Sequence, residues 1–159
     1  MTAINLSQLK TSVVQPVHTA FGAPYNTQAA TVLSLGTAIH ETNGGQYLRQ
    51  ISGPALGVWQ MEPATYDDCW KNFLNFRPEL AAAARQFQVP GAGAAQLVWN
   101  LGYACAMARV RYIRAPDPLP AADDFERMAR YYKATYNSAL GAAVVDAALV
   151  DCFRQAAAA

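Results

Sequence analysis

A chain of 159 residues is long enough to bury a core of its own, and its simplest organisation is one domain over residues 1–159. Hydrophobic residues make up 53% and charged ones 14%, which excludes an intrinsically disordered chain. A net charge of +1 with no basic block or stripe argues against a nucleic-acid partner. Cys69, Cys105 and Cys152 are odd in number and form no CxxC pair, so each reads as a small buried hydrophobe.

The opening stretch "MTAINLSQLKTSVVQPVHTAF" has no basic region leading into a continuous apolar one. No later stretch has the uninterrupted apolar length of a membrane span. The expectation is a soluble chain made in a cytosol, with no stable membrane insertion. Residues 5–14 predict a first helix that Pro16 ends or kinks. A second helix covers "QAATVLSLGTAIHE", capped by Asn26 or Thr27 and stopped by the "NGG" at 43–45.

Gly53, Pro54 and Gly57 make residues 46–60 a loop or a short hairpin. Pro63 suits the first turn of a helix running through "ATYDDCWKNFL", and another covers "PELAAAARQF". The longest helix is expected from about Ala94 to Arg114, with Leu97, Leu101, Cys105, Ala108 and Tyr112 on one stripe. A proline-rich connector, "APDPLPAADD", leads to an acidic N-cap at Asp123 or Asp124. Phe125, Met128, Ala129, Tyr132 and Tyr136 then keep helical spacing. An alanine-rich helix over roughly 139–156 closes the chain, and the four terminal alanines are expected to fray.

Several chemistries can be set aside. "HETNG" begins like the HExxH zinc helix, but the second histidine's place is taken by Gly44, and only His18 and His40 exist. No Walker sequence, GxGxxG or GxSxG is present. What remains is Glu41 at a helix C-terminus, followed by a glycine turn and the aromatic, amide-rich "GVWQME". The negative end of the helix dipole and apolar neighbours both disfavour its ionised form, as a general acid requires. A solvated helix-end carboxylate is the competing reading of that segment alone.

Four stretches together resemble the lytic transglycosylases related to lysozyme, the family of the soluble lytic transglycosylase catalytic domain and many phage lysins. The family pattern is a helix ending in Glu-Ser, a Gly-Leu-Met-Gln run leading into Met-Pro-x-Thr, and later an Ala-Tyr-Asn-Ala-Gly segment. Here "ET" stands at 41–42, "GVWQMEPAT" at 57–65 and "TYNS" at 135–138, and Asn100 resembles the asparagine that opens the family's long helix. The resemblance implies a mainly α, lysozyme-like α+β fold with a small β-hairpin between Gln46 and Gln60, beside an active-site cleft.

It further implies that Glu41 is the catalytic acid/base acting on the glycan strands of bacterial peptidoglycan. Gln60 and the backbone from Gly57 to Trp59 would line the cleft, and Tyr136 and Asn137 would sit against Glu41 and the substrate. Thr42 keeps the hydroxyl of the usual serine. Tyr47 and Trp59 are candidates for stacking on sugar faces, with ordinary packing the alternative for both. Asn100 reads as a structural hydrogen-bonder.

No metal or organic cofactor is implied. The setting implied is a phage lysin reaching the wall of the periplasm, either released through a holin or carried in the virion. Trp59 in place of methionine, the lost Ala-Gly after Asn137, and Glu62 before the proline depart from the pattern. Glu62 keeps a second mechanism open. A transglycosylase needs one carboxyl, whereas hydrolysis normally uses a second at about 5–5.5 Å or about 6.5–9.5 Å. Glu41 with Glu62 is also similar to the paired glutamates of plant-type chitinases. A catalytically inactive phage structural or docking protein of the same fold is the alternative outside enzymology.

Overall fold

A computed structural model describes residues 3–137, 141 and 143–159. Its helices are α1 (Leu6–Leu9), α2 (Gln15–Phe21), α3 (Gln28–Thr42), α4 (Pro63–Asn72), α5 (Pro78–Arg85), α6 (Leu101–Ile113), α7 (Phe125–Tyr132) and α8 (Ala147–Ala158). Among the described residues no helix is long and apolar enough to cross a membrane.

α3 forms the axis of the core. Every residue from Ala30 to Ile39 is buried, so the helix is covered on all sides. Thr27 caps its start, accepting from the Ala30 N–H at 3.1 Å, and Asn43 ends it in the left-handed conformation at φ 53°. The polar residues inside this run find partners. Thr37 Oγ1 donates to the Leu33 carbonyl at 2.7 Å and lies 2.6 Å from the Tyr112 hydroxyl. Gly36 lets α8 approach closely, because a Cβ there would collide with the Phe153 ring.

Pro16 does not end the first helix. A π-helical turn over Lys10–Val14 joins α1 to α2, and Pro16 sits just beyond it. The wider turn already forgoes the ordinary bonding pattern, so a residue without an N–H is accommodated there. The helix expected over 94–114 is divided into a 3-10 helix, Gly93–Val98, and α6. Asn100 makes the break, its Oδ1 accepting from the Tyr103 N–H at 3.0 Å while its Nδ2 donates to the Phe87 carbonyl at 2.7 Å. That is the structural hydrogen-bonding role expected of it.

The expected α+β character is not found. Among the described residues there is no β-strand, and the segment after α3 holds only two isolated bridges, Arg49 with Leu56 and Leu56 with Met61. Ser52, Gly57 and Gln60 all have positive φ, at 60°, 78° and 46°. The chain therefore reverses too often for a hairpin ladder to propagate. The mainly helical part of the expectation stands; the hairpin does not.

The closing helix begins at Ala147, capped by Asp146, whose Oδ1 accepts from the Leu149 N–H at 2.9 Å. Part of the expected start of that helix, from 139, lies outside the described residues, as does Ser138 of "TYNS". The terminal alanines extend the helix to Ala158 instead of fraying. Ala156 is buried, and the Lys10 ammonium donates to the Ala159 carbonyl at 3.1 Å.

Gly36→Ala should destabilise the fold by about 1–3 kcal/mol through overpacking against Phe153. Urea midpoints should show Phe153→Leu reversing part of that loss in the double variant. Strict additivity of the two changes would count against this contact.

Candidate active site

Glu41 is the penultimate residue of α3, and three features of the local sequence place its carboxyl. Asn43, Gly44 and Gly45 all take positive φ and turn the chain sharply after Thr42. Thr42 is buried, donating through Oγ1 to the Val58 carbonyl at 2.9 Å and accepting the Gly45 N–H at 2.9 Å. That hydroxyl ties the end of α3 to the segment 56–61. Tyr47 then reaches back, donating to the Glu41 backbone carbonyl at 2.6 Å.

The segment itself is a closed turn. Leu56 and Met61 exchange backbone bonds of 2.9 and 3.1 Å, and Gln60 Nε2 donates to the Gly57 carbonyl at 2.8 Å. Gly57 cannot carry a side chain, since a Cβ would strike the Leu97 carbonyl. Trp59 points inward, 1% exposed, with Nε1 donating to the Ser34 carbonyl on α3 at 2.8 Å. It is thus a core anchor of this turn and not a sugar platform. Gly57 and Thr42 are likewise buried behind the cleft surface.

A π-helical turn over Lys133–Asn137 continues α7 and brings Tyr136 and Asn137 to the opposite side. Tyr136 donates to the Trp59 carbonyl at 2.7 Å, and its ring stacks on Tyr112 at 5.1 Å and on Tyr132 at 6.0 Å. Asn137 Oδ1 accepts from the Lys133 ammonium at 2.9 Å and the Ala143 N–H at 3.2 Å. Between these walls lies a cleft of about 340 Å³ lined by Glu41, Tyr47, Gln60, Glu62, Tyr136 and Asn137 among others. Six of the nine residues singled out from sequence therefore meet at one cleft, while Thr42, Gly57 and Trp59 support it from behind.

Tyr132, one of the residues at helical spacing from Phe125 to Tyr136, reaches the acid itself. Its hydroxyl donates to Glu41 Oε1 at 2.5 Å, with the rest of the ring fully buried. Only its position one turn before Tyr136, on the same helical face, hinted at this. Arg111, Gln50 and Thr65 also line the cleft, and no pattern in the sequence distinguished them.

Burial is the dominant influence on Glu41 and raises its pKa from 4.5 to about 7, against the opposing pull of the Tyr132 hydrogen bond. With Oε1 occupied by Tyr132, Oε2 is the oxygen free to carry and deliver a proton. Glu62 stands at the N-cap position of α4, exposed at the cleft edge, with no side-chain cap bond. Among the described residues no cluster of three or more His, Cys, Asp or Glu could hold a metal ion.

No family model, curated protein or solved structure matches this chain. The chemistry of the cleft follows from its own atoms: one half-buried carboxyl, poised near neutrality, facing an open and largely polar groove.

The raised pKa fixes the sign of a stability effect. Between the unfolded value near 4.5 and the folded value near 7, the folded chain binds more protons than the unfolded one. Stability contributed by the neutral carboxyl is full below about 4.5 and is lost as pH rises to about 7, by about 3 kcal/mol in total. Glu41→Gln removes this dependence. Urea denaturation from pH 4 to pH 8 should show the variant gaining on the wild type across that window, and parallel curves would contradict a buried, raised carboxyl.

Proposed function

We propose that the chain cleaves the β-1,4 bond between N-acetylmuramic acid and N-acetylglucosamine in peptidoglycan, as a lytic transglycosylase with Glu41 as its acid and base. The observation that carries this reading is the half-buried Glu41 carboxyl at the cleft, raised to about 7 and hydrogen-bonded by Tyr132. The order of "ET", "GVWQMEPAT" and "TYN" along the chain supports it further.

In the first step the Glu41 carboxyl protonates the glycosidic oxygen as the bond from C1 to that oxygen breaks. The carboxylate left behind accepts the proton of the muramic C6 hydroxyl while O6 bonds to C1. A 1,6-anhydro end forms and Glu41 regains its proton, so no second carboxylate and no water are consumed. Tyr132 steadies the carboxylate between the two steps by donating to Oε1. Tyr47 and Tyr136 present ring surface and Gln60 and Asn137 present amides for sugar hydroxyls and acetamido groups.

Glu62 favours a second reading, hydrolysis, because it lines the same cleft and is exposed to water. In that scheme it would activate a water on the face opposite Glu41, as in a muramidase or a chitinase-like glycosidase.

Mass spectrometry of muropeptides released from purified peptidoglycan separates the two. Transglycosylation gives ends lighter by about 18 Da, one water, than the reducing ends of hydrolysis. Glu41→Gln should lower release by on the order of a thousandfold under either scheme. Glu62→Gln should lower it comparably only if water is the acceptor. No release by the wild type would favour a structural protein that keeps the cleft without the reaction.

Because Glu41 must begin protonated, kcat/KM should fall as pH rises through about 7. Tyr132→Phe removes the bond that opposes the raised pKa, so this limb should move to higher pH. A shift to lower pH would show that Tyr132 acts otherwise.

A further inference from the structure

Arg111 lies on α6 and lines the cleft together with Glu41 and Glu62. Five basic side chains are removed from full exposure: Lys10, Arg109, Arg111, Arg114 and Lys133. Four of them are engaged. Lys10 donates to the Ala159 carbonyl at 3.1 Å, Arg109 to the Tyr25 carbonyl at 3.1 Å, and Lys133 to Asn137 Oδ1 at 2.9 Å. Arg114 pairs with Asp68. Arg111 alone has neither a hydrogen bond nor an ion pair among the described residues.

Nor is its charge used to tune the acid. The ionisation of Glu41 is set by burial and by Tyr132. Asp68, the carboxylate within reach of this stretch of α6, is held by Asn72 and Arg114, and Arg111 influences it least. A partly buried guanidinium that faces a groove and has no protein partner for its fork of donors is able to receive an anionic group that arrives with a ligand.

We propose that Arg111 receives a carboxylate carried by the bound glycan strand and so selects acidic strands over neutral ones. This rests on the glycosidase reading of the cleft. On a peptidoglycan strand the carboxylate has two sources, the lactyl group of a muramic acid or the peptide attached to it, and Arg111 offers the same paired hydrogen bonds to either.

Binding to the Glu41→Gln chain, followed by calorimetry, tests this without turnover. Three tetrasaccharides serve as probes: a peptide-free muramyl strand with free lactyl carboxylates, the same strand bearing stem peptides, and the neutral N-acetylglucosamine tetramer. Adding Arg111→Gln should weaken at least one acidic probe on the order of tenfold and leave the neutral tetramer unchanged. Which acidic probe weakens identifies the carboxylate. Arg111→Lys, which keeps the charge and loses the fork, should fall between, and it provides the comparison if Arg111→Gln melts early. Equal weakening of the neutral tetramer, or unchanged binding of both acidic probes, would overturn the role of Arg111 alone. If the Glu41→Gln chain bound none of the three, the glycosidase reading would fall and this one with it.

Discussion

The site depends on the burial of α3 along almost its whole length. A helix with one exposed face could not desolvate a carboxyl at its last turn, because water would reach the residue along that face. Here Ala30 to Ile39 are all inside, His40 and Glu41 are half-buried, and full exposure begins at Asn43. Glu41 therefore sits where the protein interior meets the cleft, half-buried and with its carboxyl at the boundary. Gly36 belongs to the same arrangement, since the close approach of Phe153 on α8 seals the helix from behind.

Around that axis the tyrosines form a connected framework. Tyr112 on α6 meets Thr37 on α3 through its hydroxyl, Tyr136 stacks on Tyr112, and Tyr132 stacks on Tyr136. Each ring contributes buried area, and each hydroxyl has its own partner: Thr37 and the Glu41 carboxyl on α3, and the Trp59 carbonyl. Offset aromatic pairs are worth about 0.5–1.5 kcal/mol beyond their burial. Moving any one ring would disturb both packing and the position of the acid, so the stability of this region and the geometry of the cleft are the same set of contacts. Trp59 completes it from the other side, its indole fixed to Ser34 while its carbonyl receives Tyr136.

The legible parts of the molecule are those in which one local signal suffices. Thr27, the apolar run and "NGG" delimit α3 to within a residue, and Pro63 marks the start of α4. Glu41 could be singled out because a helix end followed by glycines is a recognisable place for a carboxyl. Helical spacing alone runs through the break before α6. Asn100, a favourable N-cap that the resemblance sets at the opening of the long helix, marks it, and Phe87 helps fix it by offering its carbonyl across the fold. The segment after α3 has the glycine and proline content of either a hairpin or a coiled loop. Only the positive φ at Ser52 and Gln60, neither of them glycine, decides between the two. The direction of the Trp59 ring follows from the same backbone, and a residue's type does not encode it. Tyr132 illustrates another limit, since a core stripe and a stripe that carries a hydroxyl to a buried carboxyl have identical spacing.

Two influences on Glu41 were expected to act together, the helix dipole and apolar surroundings, and their sizes are unequal. A charge at a helix terminus is worth about 0.3–1 kcal/mol at the surface and falls off within a turn. The rise from 4.5 to about 7 corresponds to about 3 kcal/mol, and burial is its leading cause. The dipole alone would leave Glu41 mostly ionised at neutral pH. The Tyr132 bond then has a purpose that the shift itself conceals. By favouring the ionised form it opposes burial and keeps the pKa lower than burial alone would set it. A carboxyl tuned by two opposing influences of this kind can give up a proton and take one back at the same pH, which is what an acid that later serves as a base must do. The enclosure of α3 supplies the larger influence, and one buried hydroxyl, four residues before Tyr136, supplies the correction.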